Sequence, residues 1–205
     1  MSEMYKRDHR PPRARPILAG VALALALGAL AVAPAAGSAA VKFGAKLGGD
    51  PDPVNVAEQC PDGSGYCTRA PLHYGDPSHV GPTLYAPEGG VIDKIKLVSE
   101  TESQFIPQVV KVKGNIAGHT KLRVVAEDPL IVYEGTGDIE TFDVDMPVNE
   151  GQRVAMRTQY AGALQCEPGI DQEAVADPLL TLASPLTKAN YYTGCTHLVQ
   201  AVMEE

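Results

Sequence analysis

Between Thr83 and Met203 the chain is cut into short runs rich in Val, Ile, Thr and Tyr, separated about every eight to twelve residues by Gly, Pro, Asn or Asp. Runs of that length do not accommodate long helices. No window of eleven or more residues after residue 40 keeps an apolar repeat of 3.6, so helix is expected to be minor. In the run from Val91 to Val98, Val91, Ile95 and Leu97 fall on one face and Lys94 and Lys96 on the other, a strand with one wet side. Val110 and Val112 alternate with Lys111 and Lys113 in the same way, and Leu122 and Val124 share one side of Lys121 to Ala126. Ile131 to Tyr133, Glu140 to Met146, Arg153 to Thr158 and Leu198 to Met203 read as further strands, and Leu179 to Leu182 as a weaker one. Gln172 to Ala176 reads as a single helical turn. Pro147-Val148-Asn149-Glu150-Gly151 reads as a hairpin link. Seven to nine short strands predict an all-β domain over 83–205, a two-sheet antiparallel sandwich of jelly-roll or immunoglobulin-like type, with a closed barrel as the alternative.

The first forty residues are of another kind. Lys6, Arg7, Arg10, Arg13 and Arg15 precede an uncharged apolar stretch from Ile17 to Ala33, Pro34 breaks it, and small residues follow from Ala36 to Ala40. That is the layout of a secretory signal helix, with cleavage expected after Ala40 and Ala39 or Ser38 as alternative sites. An uncleaved anchor is the competing reading, since seventeen apolar residues lie at the short edge of what spans a bilayer. The stretch is mostly Ala, Gly and Leu, and Ala and Gly bury little area, which favours the cleaved signal. No Cys follows it to carry a lipid, and no Arg-Arg pair precedes it. The domain reading is therefore signal over 1–40, an irregular Gly/Pro-rich segment over 41–82 and the β domain beyond. Turn signals Gly48-Gly49-Asp50-Pro51-Asp52-Pro53 and Asp62-Gly63-Ser64-Gly65 fill the middle part, whose first dozen residues are expected to be loose.

Removing 1–40 takes away five basic residues and the acidic Glu3 and Asp8, which leaves 12 Lys and Arg against 23 Asp and Glu, a formal charge of −11. Such a surface repels nucleic acid and anionic lipid and keeps the protein soluble. Contact with a membrane is expected only through an uncleaved signal.

Cys60, Cys67, Cys166 and Cys195 all follow the signal, an even count that reads as two disulfides in an oxidising, extracellular setting. Three pairings are possible. Cys60 with Cys67 and Cys166 with Cys195 is favoured because each couple is local and flanked by turn residues. On the chain-entropy account the short loop contributes roughly 2 to 3 kcal/mol and the long one roughly 3 to 4 kcal/mol. Without a Cys-x-x-Cys couple, and with few histidines, structural zinc has little to bind to.

Catalytic patterns are thin. Ser64 lies between two glycines but lacks the spacing of a nucleophile elbow and reads as a turn serine. Paired cysteines leave no thiolate nucleophile. His73, Asp76 and His79 stand three apart, a ligand-like spacing, but Gly75 and Pro77 forbid the helix that would align them. Glu134, Asp138, Glu140, Asp143 and Asp145 form the densest acidic group. Asp143 and Asp145 alternate with Val144 and are expected on one solvent face. Glu134 and Asp138, in the loop Glu134-Gly135-Thr136-Gly137-Asp138, are the candidate calcium ligands, the one cofactor the sequence points to, although the regular acid ladder of an EF-hand is missing. Sugar-binding sandwiches stack flat rings on pyranose faces. The chain has no Trp, and Tyr191 and Tyr192 are the candidate aromatic surface, with one ring on each side of a strand.

The stretches APEGGVIDKIKLV, TKLRVVAED, ETFDVDMPVNEGQRVAM and GCTHLVQAVMEE, after a secretion signal and a Cys-flanked Gly-rich segment, resemble a broad group of uncharacterised exported proteins of soil actinobacteria. The resemblance spans roughly residues 60 to 205 and implies a β-sandwich; it brings no activity and no functional residues.

The expectation is a secreted, non-catalytic β-sandwich that binds the cell envelope, an extracellular polymer or another exported protein. A secreted polysaccharide hydrolase using a carboxylate pair is the alternative, and it requires two acids roughly 5 to 10 Å apart across a cleft. A third reading has the Cys60 to Cys67 loop presented to a partner as a preorganised docking element.

Overall fold

A computed structural model of the protein describes residues 39–47, 60, 66–73, 83–114, 120–158, 164–165, 172–176, 179–193 and 196–204. Among these, all regular structure is β. The strands are β1 (Val41–Gly44), β2 (Cys67–His73), β3 (Gly90–Val98), β4 (Ser103–Lys113), β5 (Lys121–Glu127), β6 (Ile131–Tyr133) and β7 (Ile139–Val148). They continue with β8 (Arg153–Thr158), β9 (Leu164–Gln165), β10 (Gln172–Ala176), β11 (Thr187–Lys188), β12 (Asn190–Thr193), β13 (Thr196–His197) and β14 (Val199–Met203).

Two antiparallel sheets form a sandwich. The smaller has the order β1-β14-β3-β7, and the larger runs β11-β5-β4-β8-β2-β10-β12, with β6 prolonging the β5 edge alongside β4. Strands β11 and β12 are separated by Ala189 alone, yet β11 pairs with β5 at one end of the larger sheet and β12 with β10 at the other. Residues 187–193 thereby bridge both ends, and Ala189 N–H donates to the Thr120 carbonyl at 2.9 Å across the join. The larger sheet is thus almost a closed six-stranded barrel, a geometry that removes sheet edges.

Two cores follow. One lies between the sheets: Phe43, Ile95 and Leu97, with Val199 and Ala201, meet Phe105, Val109, Val154 and Met156 of the barrel wall. Phe105 is its centre, with ring centroids 5.9 Å from Tyr133 and 6.2 Å from Phe142. The other fills the barrel interior with Ala70, Leu72, Val110, Leu122, Val124, Ala155, Ala174, Ala176, Leu180 and Ala189. Alanine predominates there because a six-stranded barrel is too narrow for layers of large side chains.

Several sequence expectations are corrected. Gln172 to Ala176 is strand β10 rather than a helical turn, since its pairing with β2 and β12 outweighs local preference. Residues 41–82 are not wholly irregular: β1 pairs with β14 from Val41 onward, Phe43 is buried, and β2 lies in the middle of the barrel wall. Leu179 to Leu182 is no strand; Leu180 plugs the barrel, while Leu179 and Leu182 stay exposed. The Pro147 to Gly151 turn is not a hairpin. It carries the chain from β7 in one sheet to β8 in the other, fastened by Gly151 N–H to the Ala86 carbonyl and Ala86 N–H to the Gln152 carbonyl, 2.9 and 2.8 Å. Gly151 has φ +79°, a conformation that favours glycine.

Strand β3 also departs from simple alternation. Ile92 pairs with Met146 but Lys94 with Asp143, a slip at Asp93 that reverses the phase of the strand. Ile92, Ile95 and Leu97 are therefore all buried, and Val91, expected inside, is 42% exposed.

Candidate functional site

On and against the barrel wall lie three buried ionisable side chains that no apolar pattern marks. In the β2–β10 register Val175 is opposite Arg69 and Glu173 opposite Pro71. Arg69 and Glu173 are thus diagonal neighbours on the outer face of the barrel, within reach of long side chains. The Arg69 guanidinium lies 3.3 Å from Glu173 Oε1, and His197 Nδ1, from β13, 3.3 Å from Glu173 Oε2. One oxygen of the carboxylate serves each partner. Exposures of 3% for Arg69, 1% for Glu173 and 0% for His197 put the cluster out of reach of a substrate in this conformation. Burial on its own pushes the Glu173 carboxyl up, but the attraction of His197 and Arg69 outweighs it and holds the group below the ordinary carboxylate range.

A second polar group closes the barrel around Gln108. Thr68 Oγ1 donates to Gln108 Oε1 at 2.9 Å, and Gln108 Nε2 donates to the Leu180 carbonyl and to Glu127 Oε2, both at 3.1 Å. Arg157 stands 3.8 Å from the same Glu127 oxygen. Gln108 thereby holds the 179–183 segment in the barrel mouth.

The acidic loop between β6 and β7 is held through its own backbone. Glu140 turns its carboxylate onto the loop backbone, accepting from Glu134 N–H at 2.9 Å and Gly135 N–H at 2.8 Å. Gly137 N–H donates to the Ser99 carbonyl at 2.8 Å. Gly135, at φ +70°, presses so closely on the turn after β3 that a Cβ there would lie 2.1 Å from the Thr101 carbonyl carbon. Glu134 and Asp138 are exposed, and among the described residues no three His, Cys, Asp or Glu converge as a metal site. Flanking the loop are Val132, 61% exposed, and Ile139, 50% exposed, with Leu130 exposed just upstream. The result is a rigid rim of aliphatic and carboxylate groups.

Neither a family model, nor a curated protein, nor a solved structure matches this chain. What the molecule does has to be argued from its own residues.

The remaining sequence candidates fall as follows. Cys60 and Cys67 form a disulfide, Cα atoms 5.6 Å apart, buried with Val175 and Tyr192. Tyr191 packs against the barrel core and Tyr192 against that disulfide, on opposite sides of β12 as alternation requires; both rings are half-buried. Asp143 and Asp145 are exposed along β7, and His73 is exposed at the end of β2. Ser64, Asp76, His79, Cys166 and Cys195 lie outside the described residues. Sequence reasoning did not single out Arg69, Glu173 or His197, although Arg69 is the one Lys, Arg, Asp or Glu of β2 and Glu173 the one of β10.

Proposed function

We propose that the protein is exported after signal cleavage and acts as a binding module, holding a neutral or cationic polymer of the cell envelope or extracellular matrix at the β6–β7 rim. The observation that carries this reading is the rim itself. Exposed aliphatic side chains and free carboxylates stand on a loop already fixed by Glu140 and Gly135, so a ligand meets a surface with little left to order. Carboxylates accept hydrogen bonds from hydroxyl or amino groups, and Val132 and Ile139 offer apolar contact to the C–H faces of a sugar chain. A formal charge of −11 after processing favours a polymer that is not itself anionic. We read the sandwich as a jelly-roll or immunoglobulin-like module, architectures that present loops at the ends of their sheets.

The test is retention of residues 41–205 on insoluble cellulose, chitin and the producing cell's own envelope, with and without calcium. Retention on at least one of them, reduced roughly tenfold or more by the double change Val132→Ser and Ile139→Ser, is the expected result. No retention anywhere, or retention indifferent to that double change, overturns the reading.

A further inference from the structure

Of the 12 Lys and Arg that remain once residues 1–40 are removed, five stand together at one end of the barrel. The register sets Lys111 of β4 opposite Arg123 of β5, Lys113 opposite Lys121, and Lys121 in turn opposite Lys188 of β11. Lys113, Lys121 and Lys188 therefore lie abreast on three neighbouring strands, with Lys111 and Arg123 one step behind them. Val110, Leu122 and Val124, which alternate with these residues, fill the barrel interior, so the cations point outward, and all five are exposed. The same outer face belongs to the core between the sheets at Val109 and Val125 and comes into solvent beyond them.

Like charges set directly opposite one another weaken a sheet. Three such pairs occur here, and no acid on these strands relieves them. β4 and β11 contain no Asp or Glu, and the one acid of β5, Glu127, lies at its far end, 3.8 Å from Arg157. Among the described residues none of the five takes part in an ion pair. The fold thus keeps, at a cost in stability, a row of charge that an anion from outside would relieve.

We propose that Lys111, Lys113, Lys121, Arg123 and Lys188 form a docking surface for an acidic polysaccharide, a chain with one carboxylate per sugar, as in a polyuronate.

The row is an open face rather than a hollow, which suits an extended chain better than a small anion. Neighbouring strands are about 4.8 Å apart, close to the length of one sugar in an extended glycan, so successive carboxylates meet successive cations. Four of the five are Lys, point charges on flexible stems that accept an anion from many directions. A nucleic acid finds no ring to stack on, since β5 and β11 have no aromatic residue and the one on β4, Phe105, is buried towards its other end. A lipid surface finds no apolar anchor beside the charges, because no large hydrophobic residue of these three strands is exposed.

The formal charge of −11 does not cancel the row. The acids of the β6–β7 rim stand at the other end of β4, where Gln104 pairs with Val132. From there to Lys111 and Lys113 the strand rises roughly 23 to 30 Å, against a screening length of about 8 Å at physiological salt. The two surfaces are therefore independent of each other.

Biolayer interferometry of the purified protein on immobilised polygalacturonate, in calcium-free buffer, tests this, with neutral dextran, single-stranded DNA and vesicles containing phosphatidylglycerol as the other arms. Binding to polygalacturonate and not to dextran is expected, weakening on the order of tenfold or more between about 50 mM and about 200 mM salt. The triple change Lys113→Gln, Lys121→Gln and Lys188→Gln is expected to weaken it about tenfold or more while the thermal midpoint stays the same or rises, since like-charge pairs are removed. The double change Val132→Ser and Ile139→Ser is expected to leave it unaltered, which separates this surface from the rim. No binding to polygalacturonate, binding indifferent to the triple change, or tighter binding to the DNA or the vesicles overturns the proposal.

Discussion

Gln108 shows how much one side chain can hold. It is fully buried, yet it joins β2 through Thr68, the barrel plug through the Leu180 carbonyl and β5 through Glu127. Gln108→Ala removes all three bonds and leaves a buried hydroxyl and a carbonyl unpaired, so a loss of roughly 2 to 4 kcal/mol is expected in urea unfolding. Gln104→Ala, at a part-buried residue that donates to the Tyr66 hydroxyl, is expected to cost under about 1 kcal/mol. Equal losses for the two would remove Gln108 from its central place. Legibility at this scale was uneven. The Cys60–Cys67 pairing could be read from locality, because turn residues fill the short separation and fold the chain back on itself, within the Cα distance a disulfide needs. Gln108, Arg69, Glu173 and His197 could not, because their partners come from distant strands and only the register brings them together.

Strands were legible wherever one face is wet. β5 and β7 alternate cleanly, and their expected bounds fall within a residue or two of those observed. Where both faces are covered, as in β2 and β10 of the barrel wall, alternation vanishes and the segments read as irregular chain and a helical turn. The slip at Asp93 likewise misled the reading of Val91, since a bulge inverts inside and outside without any mark in local composition. The β6–β7 loop carries the prediction proper to this scale. Glu140→Ala withdraws the acceptor of two backbone N–H groups, and a loss of about 1 to 2 kcal/mol with faster exchange at Glu134 and Gly135 is expected by thermal unfolding and amide exchange. Unchanged exchange would mean that the loop is held by Gly135 and Gly137 alone. β7 is an edge strand, and three features guard it: exposed Asp143 and Asp145, Pro147 without an N–H, and the Asp128 carboxylate that accepts from Asp145 N–H at 2.9 Å. Replacing Asp143 and Asp145 with Val is expected to produce edge-to-edge dimers visible by light scattering; a monomer at every concentration would show that the remaining guards suffice.

For the whole molecule, the sandwich was foreseeable from strand rhythm and chain length, and the near-closure of one sheet was not, because it depends on residues 187–193 dividing their pairing between β5 and β10. The proposed binding role requires export, processing and disulfide formation, since a module of that kind has to meet its polymer outside the cell. Cys166 and Cys195 lie outside the described residues, and their pairing stands as the sequence expectation. Intact mass spectrometry of the protein recovered from the producing cell's culture medium tests these points together. The account predicts a chain beginning at Val41 and about 4 Da lighter than its fully reduced form, the loss of two hydrogens at each of two disulfides. A chain that keeps residues 1–40 and stays with the cells, or a mass unchanged by reduction, would contradict it.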